Sequence, residues 1–191
     1  MKKMTVISAL LMGMFAQGAF AAAATNNNAG AADGTITFTG MVTDSPCVVD
    51  TSSANQTIPL GQIKTASVTG ADGADLGNTT PFTISLKNCT ATLSDGTTTW
   101  DKMSVKFTDN FDPANTTKVL TNTGNGTGVS VGLKDMANKD ITLGTASDDI
   151  KANVGATVQR LPFQAHFVKV GATAGTPGNI EAKADFLVEY K

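Results

Sequence analysis

Short stretches of strictly alternating apolar and polar residues run along most of this chain. A period of two is typical of β-strands with one buried face, and no stretch shows the sustained 3.6-residue period of an amphipathic helix. The stretches are GTITFTGMV, QTIPLGQI, PFTISLKNC, MSVKFTD, GVSVGLKD, QRLPFQAHFVKV and IEAKADFLVEY. Turn-forming dipeptides lie between them, at Asp72-Gly73, Asp95-Gly96 and Asn125-Gly126. The pattern predicts an all-β fold, an antiparallel β-sandwich of about seven short strands.

The first of these strands carries glycine on its apolar face. One parity of the stretch holds Gly34, Ile36, Phe38, Gly40 and Val42, and the other begins with threonines. Glycine weakens a strand interior, so its presence indicates that another surface approaches the backbone closely. The pattern alone leaves open whether that surface belongs to the same chain.

The N-terminus has the layout of a secretory signal peptide. Two lysines, Lys2 and Lys3, precede an apolar run that ends near Phe15, and Ala19-Phe20-Ala21 follows as an A-x-A cleavage site. The apolar run is too short for a membrane-spanning helix. We therefore expect residues 1–21 to be removed and residues 22–191 to form the mature protein.

Charge and cysteine content limit the kinds of protein that the exported chain can be. Without Lys2 and Lys3, 12 basic residues remain against 16 acidic ones, and Arg160 is the sole arginine. The basic residues form no cluster that would bind nucleic acid or an anionic membrane. Cys47 and Cys89 are an even pair in an exported protein, which predicts one disulfide bond.

The chain shows no constellation of catalytic residues. The single histidine, His166, has the parity opposite to Phe163, Ala165 and Phe167, which predicts a solvent-facing strand residue. No Cys/His/Asp cluster has the spacing of a zinc site, and the acidic pairs Asp109/Asp112 and Asp148/Asp149 are interpreted as surface residues. We therefore expect neither an enzyme nor a bound metal or cofactor.

Two further residues carry structural expectations. Pro162 stands within an alternating stretch, and because proline cannot donate to a strand ladder, it predicts a bulge or a crossover. Trp100, the single tryptophan, leads into the MSVKFTD strand and is expected at the edge of the core rather than on a sugar-binding surface.

In the order and spacing of several motifs, the chain resembles the pilin subunits assembled by the chaperone–usher pathway, most closely the type 1 major pilins. After the signal peptide come GTITFTGMV shortly before Cys47, then QTIPLGQIKTASV, then ISLKNC ending at Cys89. RLPFQAHF and a terminal alternating strand with Tyr190 as the penultimate residue complete the resemblance, which spans nearly the whole mature chain.

The resemblance implies an immunoglobulin-like sandwich that lacks its last strand. Residues 22–42 would then be an N-terminal extension and residues 43–191 the pilin domain. The extension would fill the apolar groove of another subunit as a donated strand, a case of β-strand addition. The donor residues facing that groove would be Gly34, Ile36, Phe38, Gly40 and Val42, with Gly40 at the position where the family keeps a glycine.

The resemblance also implies roles for the C-terminal strand. Phe186, Val188 and Tyr190 would form one wall of the groove and pair with a periplasmic chaperone, which would anchor the terminal carboxylate at Lys191. Other pilin subunits and an outer-membrane usher would be the remaining partners. The implied product is a surface fimbria used in adhesion.

Other functions remain open from the sequence. Within the family, the chain could be a minor or adaptor pilin rather than the major shaft subunit. Outside it, the alternative is a complete extracellular β-sandwich that binds a ligand. A secreted enzyme is disfavoured by the missing catalytic residues.

Overall fold

The computed structural model describes residues 35–40, 42–93, 95–108, 118–153 and 155–191. Met41–Lys191 form one compact unit, and residues 35–40 are described separately. The predicted signal peptide, the start of the extension with Gly34, and the pair Asp109/Asp112 lie outside the described residues.

The unit consists of two antiparallel sheets. The larger sheet has the order β1-β2-β7-β5-β4 and the smaller one the order β6-β3-β8. The strands are β1 (Val48–Val49), β2 (Asp75–Lys87), β3 (Lys102–Thr108), β4 (Val119–Leu120), β5 (Val129–Lys134), β6 (Ile150–Lys151), β7 (Val158–Lys169) and β8 (Asp185–Tyr190). A one-turn helix, α1 (Thr51–Ala54), and a 3₁₀ turn (Thr65–Ser67) lie between β1 and β2. The predicted antiparallel β-sandwich is confirmed, with eight strands among the described residues.

The core lies between the inward faces of the two sheets. Alternation places one parity of each strand inside, and the largest fully buried side chains are Phe163, Ile84, Leu86, Met103, Leu161 and Val105. Phe107 of β3 meets Phe163 of β7 edge-on, with ring centroids 5.1 Å apart, and Phe82 of β2 lies 6.3 Å from Phe107. These aromatic contacts join the two sheets at the centre of the sandwich.

The predicted disulfide bond is present. Cys47, just before β1, is bonded to Cys89, just after β2, and no free cysteine remains in the chain. Trp100 also lies as predicted at the edge of the core. Its side chain is buried, its indole N–H donates to the Thr90 carbonyl at 2.9 Å, and its ring packs edge-on against Tyr190.

The bulge or crossover expected at Pro162 is wrong. Pro162 lies opposite Thr83 in a register between β2 and β7 that is uninterrupted from Thr80 to Lys87. The proline is tolerated because β5 pairs with β7 only from Gln164 onwards, so Pro162 lies beyond the end of that ladder. The irregularity in the sheet falls instead near Gly77, whose φ of 79° is left-handed.

The expected exposure of His166 is also wrong, because its side chain is only 3% exposed. His166 lies in the middle of the larger sheet opposite Gly132 on β5. A Cβ atom at Gly132 would lie 2.7 Å from the His166 Cε1 atom, so the imidazole occupies the space that a side chain there would fill. Parity placed His166 correctly on the face away from the core, but this face is locally covered.

Burial of His166 predicts a pH-dependent stability. Burial lowers the pKa of its imidazole, the nearby Asp75 charge opposes that shift, and no described residue bonds to its Nδ1 atom. The native state therefore favours neutral histidine, so its contribution to stability is present above the unfolded pKa of about 6.5 and is lost as pH falls. Denaturation of the purified protein at about pH 7 and about pH 5 should show this loss. A His166→Gln variant should lose less stability over the same interval, and an equal loss would contradict the assignment.

Candidate functional site

An open apolar groove of about 1210 Å³ runs along the sandwich. Its floor consists of core side chains from both sheets, namely Phe82, Ile84, Phe107, Leu120, Val131, Leu133, Ala165 and Phe167. Two chain segments bound it, which we call the N-terminal wall (residues 53–65) and the C-terminal wall (residues 177–186). The groove therefore lies between two walls and against the hydrophobic core, whose side chains, such as Ile84 and Phe107, are buried beneath it.

The N-terminal wall is held to β2 by side chains rather than by a strand ladder. The Gln56 Nε2 group donates to the Thr83 carbonyl at 2.9 Å, and the Asn78 Nδ2 group donates to the Gln62 carbonyl at 2.9 Å. Three apolar residues of this wall are half-buried: Ile58, Leu60 and Ile63. The wall is thus fixed at both ends while its apolar side chains line the groove.

The C-terminal wall continues into β8, and the side chains along both alternate regularly. Residues 180, 182, 184 and 186 are half-buried, whereas residues 179, 181, 183 and 185 are exposed. The inward residues are Ile180, Ala182, Ala184 and Phe186, and all four line the groove. Two small alanines between two larger side chains leave space at the middle of the wall.

The main chain of this wall and of β8 presents an unpaired edge. Asn179 and Glu181 bond to the loop at residues 122–126, and Lys191 exchanges two bonds with Lys102 of β3. Because N–H and C=O groups of successive strand residues point to opposite sides, the even-numbered residues from 180 to 190 direct theirs away from these partners. Among the described residues, no partner bonds to the main chain of Ile180, Ala182 or Ala184. Such an edge can pair with an added strand.

The structure brings the three predicted C-terminal residues onto one face. Phe186 lines the groove, and it packs against the core together with Val188 and Tyr190. Val188 lies opposite Val105 of β3, and Tyr190 lies opposite Met103. The groove wall and the strand expected to meet a chaperone are therefore one continuous element.

The large apolar residues of the predicted donor strand are exposed in this single chain. The side chains of Ile36, Phe38 and Val42 are 78%, 88% and 98% exposed, respectively. A Cβ atom added at Gly40 would have no described atom within 4 Å apart from its chain neighbours. Large exposed apolar side chains at alternating positions are the feature expected of a strand that is buried in a partner.

The sequence predicted strands at three stretches that form no strand among the described residues. They are residues 35–40, residues 56–63 and the first half of IEAKADFLVEY, where β8 begins only at Asp185. The last two are the walls of the groove, and each lacks a strand neighbour on its groove side. Their alternation was visible in the sequence, but the position of the two walls across one groove was not.

The charged groups near the end of β8 form surface pairs. The Lys191 Nζ atom lies 2.7 Å from the Asp149 Oδ1 atom, and this hydrogen bond raises the pKa of Lys191 and lowers that of Asp149. Lys139 pairs with Asp148 in the same way at 2.6 Å. The acidic pair Asp148/Asp149 thus lies at the surface as predicted, with each carboxylate bound to a lysine.

Other kinds of site find no support in the described part of the chain. Its helices are too short to span a bilayer. The described residues also contain no group of three or more histidine, cysteine, aspartate or glutamate side chains arranged to hold a metal ion.

The sequence matches the family described as fimbrial protein over residues 36–191. Long polar fimbria protein A of Salmonella typhimurium is 37% identical over 161 residues, which cover 83% of this chain and 84% of the relative. The type-1 fimbrial protein A chain of Escherichia coli K12 is 33% identical over 192 residues, which cover 97% of this chain and 95% of the relative.

Solved structures share the same fold. The rod subunit PapA of the P pilus superposes with a TM-score of 0.63 at 23% identity, covering 77% of this chain and all of that chain. A chaperone–usher pilus solved in a study of rod uncoiling superposes with a TM-score of 0.63 at 25% identity, covering 84% of this chain and 96% of that chain. The predicted pilin-type sandwich is thereby confirmed.

Proposed function

Because this chain belongs to the fimbrial protein family, whose members are structural subunits of cell-surface fimbriae, we propose that it builds the shaft of a fibre by donating residues 34–42 to the groove of a neighbouring copy. The observation that carries the proposal is the pairing of an open apolar groove with exposed apolar donor residues in one chain. A shaft role is supported by a relative of 36% identity named as a probable major fimbrial subunit. A minor or adaptor role is the alternative within the family.

The dimensions of donor and groove agree. Nine donor residues span about 27 Å as a strand, and the unpaired edge from Ile180 to Tyr190 spans about 33 Å. Because side chains alternate along a strand, Ile36, Phe38 and Val42 would face the floor of the groove. The main-chain groups of residues 34–42 would then form hydrogen bonds with the unpaired edge. Burial of these three side chains contributes roughly 5–9 kcal/mol, an upper estimate.

The open groove also requires protection before assembly. We propose that residues 1–21 direct export and that a periplasmic chaperone then lends a strand to the edge formed by Phe186, Val188 and Tyr190. An outer-membrane usher would receive the subunit and exchange the chaperone strand for residues 34–42 of the next copy. Residues 22–42 act in this scheme as the extension and residues 43–191 as the pilin domain.

A complete ligand-binding sandwich fits the molecule less well. A complete sandwich has a strand at every position along its groove, whereas here the main chain of Ile180, Ala182 and Ala184 has no partner among the described residues. The apolar floor and unpaired main-chain edge suit a β-strand better than a polar ligand.

A heat-dissociable ladder tests the proposed function. Fibres isolated from the cell surface and left unheated in detergent should migrate as a series of multimers, because strand burial and main-chain bonds hold each link without a covalent bond. Heating without reductant should convert the ladder to monomers that keep the Cys47–Cys89 bond. A surface form that is monomeric before heating would contradict the proposal, and so would a ladder that requires reductant to dissociate.

A further inference from the structure

Two loops approach one another backbone to backbone at the start of the C-terminal wall. Residues 122–128 carry Gly124, Gly126 and Gly128, and the facing segment carries Gly175 and Gly178. We call these five glycines the glycine seam. A Cβ atom at Gly124 would lie 2.0 Å from the Asn179 carbonyl oxygen, and one at Gly178 would lie 2.3 Å from the Gly126 nitrogen. Only residues without side chains allow this approach.

Hydrogen bonds cross the seam at its centre. The main-chain N–H groups of Thr123 and Gly126 donate to the carbonyls of Glu181 and Asn179 at 2.7 and 2.9 Å. The Asn122 Oδ1 atom accepts from the N–H groups of Gly124 at 2.8 Å and Glu181 at 3.2 Å. The Asn122 Nδ2 group donates to the Gly126 carbonyl at 2.7 Å. One side chain therefore ties the loop to itself and to the groove wall.

At this end of the C-terminal wall, hydrogen bonds across the glycine seam take the place of a strand ladder. Among the described residues, the last pair of the ladder between β3 and β8 is Thr108 with Asp185, where β8 begins, so Ile180 and Ala182 lie outside β8. Among the described residues, the hydrogen bonds to the main chain of Asn179 and Glu181 all come from residues 122–126. These bonds leave the main chain of Ile180 and Ala182 unpaired and turned the opposite way.

We propose that the glycine seam is a positioning device for strand acceptance, with Asn122 and Gly124 as positioning residues. This inference rests on the proposed function. An incoming strand binds more readily to an edge that is already ordered, because ordering a loose segment on binding costs conformational entropy. The seam orders the 179–182 segment before the strand arrives, and it does so from the side opposite to the groove.

The test separates accepting a strand from donating one. The full mature subunit, purified with its chaperone, is made as Gly124→Ala, Asn122→Ala and the control Asn153→Ala. The described contacts of Asn153 are made by its main chain, so its side chain can be removed without loss of a bond. Each variant is then mixed with wild-type subunits during fibre assembly, and fibre length is measured.

Both seam variants should still bind the chaperone and still donate residues 34–42 to a wild-type groove. Strand acceptance should fall about tenfold or more, because Gly124→Ala overfills a tight contact and Asn122→Ala removes the hydrogen bonds that tie the loop to the wall. A subunit that donates but does not accept ends the fibre, so fibre length should fall in proportion to the added variant. Asn153→Ala should leave fibre length unchanged.

Three outcomes would overturn the inference. In the first, the variants extend fibres like the wild type. In the second, they are absent from fibres and leave wild-type length unchanged, which assigns the seam a role in donation or in the whole fold. In the third, both seam variants fail to accumulate with the chaperone, which makes the seam a requirement for folding. Failure of wild-type subunits to assemble at all would instead refute the proposed function.

Discussion

Gly40→Leu in the mature subunit should slow fibre growth about tenfold or more while leaving the subunit folded. In the single chain no described atom opposes a side chain at this position, so leucine costs nothing there. In the proposed linked state Gly40 would face the groove of the next subunit, where a large side chain would overfill a close contact at a typical cost of about 1–3 kcal/mol. The defect should therefore appear only when two subunits join.

The matched control is Thr39→Leu, one residue away on the opposite parity. In the proposed donated strand the Thr39 side chain would point away from the groove, so the effect of Thr39→Leu on growth should be small. The multimer ladder formed at equal subunit concentrations measures both variants. Equal growth of Gly40→Leu and wild type would show that residues 34–42 are not the donated strand.

Deletion of residues 188–191 should abolish chaperone co-purification and leave the subunit to proteolysis. The deleted residues include Val188 and Tyr190, which pair with Val105 and Met103 of β3 and cover those buried side chains. They also include two of the three residues of the edge that the chaperone strand would use, Val188 and Tyr190. The deletion therefore removes core packing and the docking edge at the same time, so no folded subunit should accumulate.

Leu187→Ser serves as the control for this deletion. Leu187 lies on the same strand, but its side chain is 57% exposed on the outer face. This variant should accumulate with the chaperone at wild-type amounts. Affinity purification of the chaperone followed by quantification of bound subunit measures both. Normal accumulation of the truncated chain would contradict the assigned role of β8.

Alternation in the sequence predicted the sandwich because the buried face of a strand has a fixed period of two. The same rule placed Phe163, Ala165 and Phe167 inside correctly. It could not predict the burial of His166, which depends on the missing side chain of Gly132 on a neighbouring strand. Parity assigns a residue to a face, whereas long-range packing decides whether that face is covered.

The candidate site was predictable only in part for a related reason. The alternation from Ile180 to Tyr190 was evident, but strand pairing on the groove side depends on a neighbour that the described part of this chain does not supply. The glycine seam left no signal in the sequence, because Gly124 and Gly178 are 54 residues apart and resemble ordinary loop glycines. Tertiary proximity alone reveals that their backbones meet.

Photo-crosslinking from position 38 in assembled fibres would report which chain the side chain of this residue contacts. A photoreactive phenylalanine analogue replaces Phe38, and such subunits are mixed with isotopically heavy subunits so that crosslinks between chains can be recognised by mass. If residues 34–42 are donated to a neighbouring subunit, crosslinks should form between chains and map to the groove, at residues such as Phe107, Ala182 and Phe186. Crosslinks confined to one chain, or crosslinks between chains that fall outside the groove, would contradict this donation.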